Sequence, residues 1–239
     1  SPDALSLQHS WDFGDTSGSS ALKPIKVYAS IGRRSVYLKS TDTRGCADSF
    51  RQDVYVAPYP VSNFTINDSV QCENHNIYVF EDVSTILNGG GSLSSQWIYG
   101  DNTSTASGDS VSHNYATKTG YINVQHKSIS SYGCRDSSIQ TVHVRKGPDA
   151  AIGLDTVLYC IRGNEFGVTD LTTKGEGNKT QFTWNWGDGN IDVKSTTTRF
   201  THNYANTGTY TIKLLVEDQY SCIDSITKST TVHPNPTAQ

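Results

Sequence analysis

One five-residue pattern, Trp-x-aromatic-Gly-Asp, occurs three times in this 239-residue chain. The copies begin at Trp11, Trp97 and Trp184, which gives spacings of 86 and 87 residues. Independent features that keep one period indicate tandem copies of a single folding unit, so this pattern limits the chain to a repeat architecture. Such a chain buries several small cores rather than one large core.

The cysteines follow the same period. Two series are each spaced by 88 residues: Cys46, Cys134 and Cys222 in one, and Cys72 and Cys160 in the other. Proline-containing joints separate the copies and predict four segments. These are a repeat lacking its first strands at 1–57, complete repeats at 58–146 and 147–233, and the start of a linker to a further repeat at 234–239. We therefore expect a piece of a longer array.

Alternating apolar residues predict β-strands throughout. In "TYTIKLLVE", Tyr210, Ile212, Leu214 and Val216 fall on one face. Strands recur about every 8–12 residues between turn signals, and about seven short strands per repeat are typical of an immunoglobulin-like fold. We expect an all-β chain of tandem immunoglobulin-like β-sandwiches arranged end to end.

Each copy of the Trp motif is interpreted as a core strand that ends in a turn. Trp11, Trp97 and Trp184 stand where this fold places its core tryptophan. Because alternate residues of a strand share a face, the aromatic residue two positions later should also pack inward. The Gly then allows the chain to turn, and the Asp is expected to hydrogen-bond the turn backbone.

Three tyrosines are candidates for a tyrosine corner, in which the hydroxyl bonds back to the main chain: Tyr28, Tyr115 and Tyr204. His113 and His202 precede two of them, and Lys26 stands in that place in the first repeat. We interpret the two histidines as solvated strand-end residues rather than ligands.

Together, W-x-[FYW]-G-D, H-x-Y, a Gly-led strand and [GS]-C-x-D-S resemble the PKD (polycystic kidney disease) domain. The resemblance covers essentially the whole chain, although the first repeat lacks its His and first strands. It implies immunoglobulin-like sandwiches used for spacing or adhesion outside the cell. The two-cysteine variant resembles arrays in large surface proteins of Bacteroidota, including gliding-motility adhesins. PKD modules also accompany secreted proteases and chitinases, so the family does not fix the function.

Recurring cysteines indicate an oxidising compartment, but two pairings are open. Pairing within repeats gives Cys72–Cys134 and Cys160–Cys222. In a sandwich, however, these positions lie at opposite ends of a strand about 23 Å long, whereas a disulfide needs Cα atoms within about 7 Å. If the repeats follow one another head to tail, Cys72 and Cys222 lie at the same joint and can bond to each other instead. We hypothesise this inter-domain bond, with partners for Cys46 and Cys134 upstream and for Cys160 downstream.

No pattern predicts a catalytic centre or a resident cofactor. Asp188, Asn190 and Asp192 have the oxygen spacing of a calcium loop, but no Glu follows at the twelfth position, so an Asp-rich turn is the alternative. The resemblance to Bacteroidota proteins implies O-glycosylation at Asp-[Ser/Thr]-apolar sequences. These occur at Ser69, Ser110, Thr156 and Ser225.

Charge and hydropathy exclude further classes. The net charge is −4 with scattered cations, which indicates no nucleic-acid partner, and no apolar run is long enough for membrane insertion. We expect a non-enzymatic, secreted segment of a cell-surface adhesin or stalk protein. Its expected partners are further repeats of the same polypeptide and a surface polysaccharide or protein ligand.

The alternative is a set of carbohydrate-binding accessory modules of a secreted hydrolase. That function needs exposed aromatic residues, for which the sequence offers Tyr132, Tyr159 and Tyr220.

Overall fold

The computed structural model describes residues 7–86, 91–116, 118–196 and 199–237. This part of the chain is all-β, with tandem immunoglobulin-like β-sandwiches as the alternation predicts. Its one helix is the 3-10 helix Glu73–His75. A helix with the length and apolar character of a membrane span is therefore absent from the described residues.

The strands lie along the chain in the following order. Before residue 58 they are β1 Gln8–Asp12, β2 Gly18–Ser19, β3 Gly32–Thr41 and β4 Ala47–Val56. The next ten are β5 Pro60–Val61, β6 Phe64–Ile66, β7 Val70–Cys72, β8 Tyr78–Asp82, β9 Thr85–Ile86, β10 Leu93–Ile98, β11 Ala106–Ser107, β12 Ser110–His113, β13 Gly120–Ser130 and β14 Arg135–Arg145. The last eight are β15 Ile152–Leu154, β16 Leu158–Cys160, β17 Phe166–Asp170, β18 Lys179–Asn185, β19 Ile191–Lys194, β20 Phe200–His202, β21 Gly208–Asp218 and β22 Ile223–His233.

These strands form six sheets, with the orders β2-β1-β3-β4, β11-β10-β13-β14-β7, β12-β8-β6, β15-β17-β20, β16-β22-β21-β18-β19 and β5-β9. Two compact units result. The first comprises Ser1–Asn63, Val83–Gln96 and His126–Ser138, and the second comprises Phe64–Asp82, Trp97–Gln125 and Ile139–Gln239. The limits of the three repeats stay a prediction, because the boundaries of the two units fall at other positions.

The second unit contains a complete sandwich in its 147–233 region. The sheet β15-β17-β20 and the sheet β16-β22-β21-β18-β19 bury one shared cluster, in which Phe166, Trp184, Trp186 and Leu214 are almost inaccessible. Strand β21 supplies Ile212, Leu214 and Val216 to this core, since alternate side chains of a strand face one side. Burial of these large apolar side chains drives the packing of the two sheets.

A second cluster in the same unit is built by the preceding repeat. It contains the fully buried rings of Tyr78, Phe80 and Trp97, with Val124 and Val142 beside them. In both regions a short strand pairs in parallel with the last strand of its repeat. Strand β7 pairs β14, and β16 pairs β22.

The first unit contains the antiparallel sheet β2-β1-β3-β4. Trp11 is only half-buried there, and neither hydrophobic cluster among the described residues includes it. Its ring stacks near Phe13, with centroids 6.4 Å apart, and its indole nitrogen donates to the carbonyl of Ala21 at 3.0 Å. Trp97 and Trp184, by contrast, are fully enclosed.

Polar side chains fill inward positions elsewhere in the first unit. His126, Ser128 and Ser130 alternate along β13 and are buried. The Ser62 hydroxyl lies 3.0 Å from His126 Nδ1, and Ser128 donates to the Ser84 hydroxyl at 2.6 Å. Hydrogen bonding offsets the cost of removing these groups from water.

The motif glycine is required by the turn that ends each core strand. Gly14, Gly100 and Gly187 have positive φ of 72°, 80° and 81°. A Cβ on Gly187 would lie 2.7 Å from the carbonyl oxygen of Thr211 on the neighbouring strand. The left-handed backbone and the close approach both exclude a side chain at this position.

We predict that Gly187→Ala lowers the free energy of unfolding by more than the about 1–2 kcal/mol expected for the left-handed conformation alone. Urea denaturation of the full chain measures this. Gly163→Ala is the matched control, because Gly163 has φ of 74° but no atom within 4 Å of an added Cβ. Equal losses in the two variants would show that the contact with Thr211 is unimportant.

Candidate functional site

The repeated residues lie in two places: the turn that follows each core strand, and the joint between the last two repeats. In the third repeat, Trp184 lies on the inward face of β18, and Trp186 directly follows the end of that strand, with ring centroids 6.1 Å apart. Phe13, Tyr99 and Trp186, the aromatic residues two positions after each motif tryptophan, are buried, as strand alternation predicts.

Each candidate corner tyrosine donates its hydroxyl to the carbonyl of that second aromatic residue. Tyr28 bonds Phe13 at 2.9 Å, and Tyr204 bonds Trp186 at 2.9 Å. The same bond in the middle repeat joins Tyr115 to Tyr99 at 2.8 Å. Burial raises the pKa of Tyr115 and Tyr204 well above the ordinary value, with a smaller contribution from the nearby aspartates. The hydroxyls therefore stay protonated and remain donors.

Buried asparagines hold the corner tyrosines, and sequence reasoning missed them. Asn76 and Asn164 each accept a hydrogen bond from the tyrosine backbone N–H at 2.7 Å. Their side-chain amides also donate to the carbonyls of Tyr115 and Tyr204. The two asparagines are 88 residues apart, which is also the spacing of the cysteines. That shared spacing is the sequence signal that could have identified them.

An acid–base pair occupies the same place in all three turns. His202 Nε2 lies 2.8 Å from Asp188 Oδ2, and His113 Nε2 lies 2.7 Å from Asp101 Oδ2. In the first repeat Lys26 replaces the histidine and lies 2.7 Å from Asp15.

The interpretation of His113 and His202 as solvated is wrong. Their side chains are only 13% and 12% exposed. The ring of His113 stacks on Tyr99 at 3.9 Å, and the ring of His202 stacks on Trp186 at 4.2 Å. The aromatic residue and the aspartate of one motif therefore contact the same imidazole.

The surroundings of these aspartates favour their ionised form. Partial burial alone would raise the pKa of Asp188, but hydrogen bonds from Asn190 and His202 outweigh it and lower the pKa. The pKa of Asp101 is lowered in the same way, against burial, by Thr103 and His113. Lys26, and then Ser17, lower the pKa of Asp15 to about 2.

The candidate calcium residues lie in the third turn, but their oxygens face protein donors. Asp188 accepts hydrogen bonds from Asn190 and His202. Asp192 accepts from the indole nitrogen of Trp186 at 2.9 Å and pairs with Lys194 at 3.4 Å. These bonds are those of a hydrogen-bonded Asp turn, and calcium binding at this turn stays a prediction.

The candidate modification sites lie at the surface to different degrees. Ser69, Ser110 and Ser225 are exposed. Thr156 is half-buried, and its hydroxyl donates to the carbonyl of Leu158 at 3.2 Å. Glycosylation at these positions stays a prediction.

At the joint between the last two repeats, the structure links Cys72 to Cys222. Their sulfur atoms are 2.04 Å apart and their Cα atoms 5.5 Å apart. This is the pair of cysteines hypothesised from topology, and both residues lie in the second compact unit. The pairing within repeats does not occur, since Cys134 and Cys160 are not bonded, and neither is Cys46.

Both ends of this disulfide are held in place by local structure. Cys72 ends β7, where it is in register with Arg145 at the end of the parallel strand β14. The backbone N–H of Cys222 donates to the carboxylate of Asp218 at 2.9 Å, and so does that of Tyr220. Cys222 is fully buried.

Polar and cation–π contacts surround the disulfide. Glu73 accepts a hydrogen bond from the backbone N–H of Gly147 at 3.0 Å, and the guanidinium of Arg145 lies 3.8 Å from the ring centre of Tyr220. His143 pairs with Glu176 at 3.0 Å. The joint therefore combines a covalent link with packed and charged contacts, and we treat it as the candidate functional site.

Of the three tyrosines considered for sugar binding, Tyr132 and Tyr220 are 49% and 42% exposed. Tyr220 lies under Arg145, and Tyr132 packs against Tyr55 with ring centres 5.4 Å apart. Tyr159 is half-buried against Phe166.

Residues 147–233 match the family model described as "PKD domain". The match covers about a third of the chain, and these are the residues that the sequence assigns to the third repeat. The resemblance to PKD domains is therefore confirmed for this region. No curated protein matches the sequence.

Solved structures similar to the chain include two bacterial PKD domains. The PKD1 domain of Vibrio anguillarum Epp is 21% identical and aligns over 38% of this chain and 99% of its own, with a TM-score of 0.33. The PKD1 domain from the Vibrio cholerae metalloprotease PrtV is 21% identical over 36% and 98% of the two chains, with a TM-score of 0.32. The three N-terminal domains of the bacteriophage RB49 highly immunogenic outer capsid protein are 11% identical over 96% and 89%, with a TM-score of 0.40. These scores are too low to support an argument about function.

The acid–base pair predicts a specific acid sensitivity. A carboxylate whose folded pKa is lowered stabilises the fold above its ordinary pKa of 3.8, and this contribution is lost as the pH falls through the lowered value. Asp188→Asn should therefore lower the free energy of unfolding more at about pH 6 than at about pH 3. Urea denaturation at the two pH values measures the difference.

Asp109→Asn is the control for this measurement, because the Asp109 side chain is exposed and forms no hydrogen bond with the described residues. It should change the stability little at either pH. A loss in Asp188→Asn that is the same at both pH values would contradict a role for the ionised carboxylate.

Proposed function

We propose that the chain is a non-catalytic segment of an extracellular, cell-surface repeat protein that spaces and holds an adhesive region. The observation that carries the proposal is the Cys72–Cys222 bond between the second and third repeats. A covalent link at a joint limits hinge motion there, which suits a stalk. It also needs an oxidising environment, which supports placement outside the cell.

The contacts of the described side chains support a non-catalytic role. Ser62 and His126 are the nearest approach to a nucleophile and base, with Ser62 Oγ 3.0 Å from His126 Nδ1. His126 is fully buried and Ser62 nearly so, and a substrate has no access to either. The remaining histidine–carboxylate pairs lie in the repeated turns and at the joint, where they bind elements of the fold together.

The proposal extends the same bond along an array divided at the predicted repeat limits. Cys160 ends β16 as Cys72 ends β7, because each short strand pairs in parallel with the last strand of its repeat. We expect Cys160 to bond the turn cysteine of a following repeat, and Cys46 and Cys134 to bond partners upstream. The cysteine pattern supports the Bacteroidota surface class, including gliding-motility adhesins, as the specific setting.

The disulfide also determines which residues carry tension. Force applied to the two ends of the chain passes from Cys72 to Cys222 through the sulfur atoms. The segment between the two cysteines, which are 150 residues apart in sequence, therefore carries no load. Fully extended, this segment is roughly 500 Å long at about 3.3–3.6 Å per residue. The segment between the cysteines therefore keeps its fold under load.

Single-molecule force extension of the full chain, held at its ends, tests this function. The oxidised protein should unfold with a total length gain that is roughly 500 Å shorter than that of Cys222→Ser. Cys46→Ser is the matched control and should behave as the unmodified chain, because Cys46 is exposed and unbonded. Equal length gains in the oxidised protein and Cys222→Ser would contradict a load-bearing joint.

A further inference from the structure

A groove in the first unit has the chemistry of a ligand site outside the joint and the turns. Its volume is about 380 Å³. The residues that line it are Tyr59, Gln96, Lys127, Ile129, Arg135, Asp136 and Ser137. Pockets of a few hundred cubic ångströms accommodate small ligands or single sugar residues.

Strand alternation places these side chains on the outer face of the sheet. On β13 the buried His126 and Ser128 flank Lys127, which therefore points away from the core. On β14, Asp136 turns the other way and accepts the backbone N–H of Ser62 at 2.8 Å, so its neighbour Arg135 faces outward. Asp136 also lines the groove, where its carboxylate holds the Ser62 backbone, and Lys127 and Arg135 are the two cations of the lining.

The two cations of the groove outnumber its one carboxylate, Asp136. Among the described residues, neither Lys127 nor Arg135 has an ion-pair partner or a side-chain hydrogen bond. Two unpaired cations in one groove attract an anion, and an arginine matches the geometry of a carboxylate with two parallel hydrogen bonds.

The other lining groups suit a sugar. Tyr59 is 61% exposed and offers an aromatic face, on which the apolar side of a pyranose ring can rest. The exposed Gln96 and Ser137 supply an amide and a hydroxyl for sugar hydroxyls. We propose that this groove binds an acidic glycan, with the sugar ring on Tyr59 and its carboxylate between Lys127 and Arg135.

An acidic peptide fits the groove less well. Its charge would match Lys127 and Arg135, but it presents no pyranose face to the exposed ring of Tyr59. The inference rests on the proposed function, since it names the ligand class that an adhesive segment would hold. Its test is independent of the force measurement.

Isothermal titration of the full chain with a tetramer of galacturonic acid, in buffer without divalent cations, tests the site. We expect binding that is weakened about tenfold or more in Arg135→Gln and in Tyr59→Ala. Lys39→Gln and Tyr121→Ala are the matched controls, because both residues are exposed and lie outside the groove. These two variants should bind as the unmodified chain does.

Two further probes separate charge from sugar recognition. The fully methyl-esterified tetramer keeps the rings but loses the carboxylates, and tetraglutamate keeps the charge but has no ring. Neither should bind measurably. No heat with the acidic tetramer, equal binding of tetraglutamate, or binding that survives both groove substitutions would each overturn the proposal.

Discussion

The bond between Cys72 and Cys222 is the constraint on which the architecture of the joint depends. It fixes the end of strand β7 against the turn that follows β21, and the carboxylate of Asp218 holds the backbone of that turn. Noncovalent contacts such as the cation–π pair of Arg145 and Tyr220 then pack around the link. Without it, two small sandwiches would be joined by contacts that are individually weak.

The repeated turn explains how each core strand ends. In one turn the aromatic residue contributes to the core, the glycine allows the strand to end, and the aspartate holds a base that stacks on the same aromatic ring. Lys26 stands in the place of His202 in the first repeat, so the aspartate keeps a basic partner there. These contacts give the motif a structural role, which agrees with the enclosed indole of Trp184.

Sequence periodicity predicted the sandwich fold and the enclosed Trp97 and Trp184, because strand alternation and recurrence are local properties that a chain displays directly. Trp11 is only half-buried, so the same pattern did not predict its surroundings. The Cys72–Cys222 pair was predictable from the topology of the fold. The pairing of His202 with Asp188 was not predictable, since it depends on which strand end lies opposite Asp188. Likewise, inward polar residues such as His126 break the apolar alternation and are stabilised by a serine distant in sequence. The outer-face groove beside Tyr59 depends in the same way on neighbours from three separate segments.

Mass spectrometry of a tryptic digest, prepared without reduction, identifies the partner of Cys72. The peptide 52–118, which contains Cys72, should be linked to the peptide 214–228, which contains Cys222. Reduction should release the two peptides. A link between 52–118 and 128–135, which contains Cys134, would contradict the account and show that the repeats are closed individually.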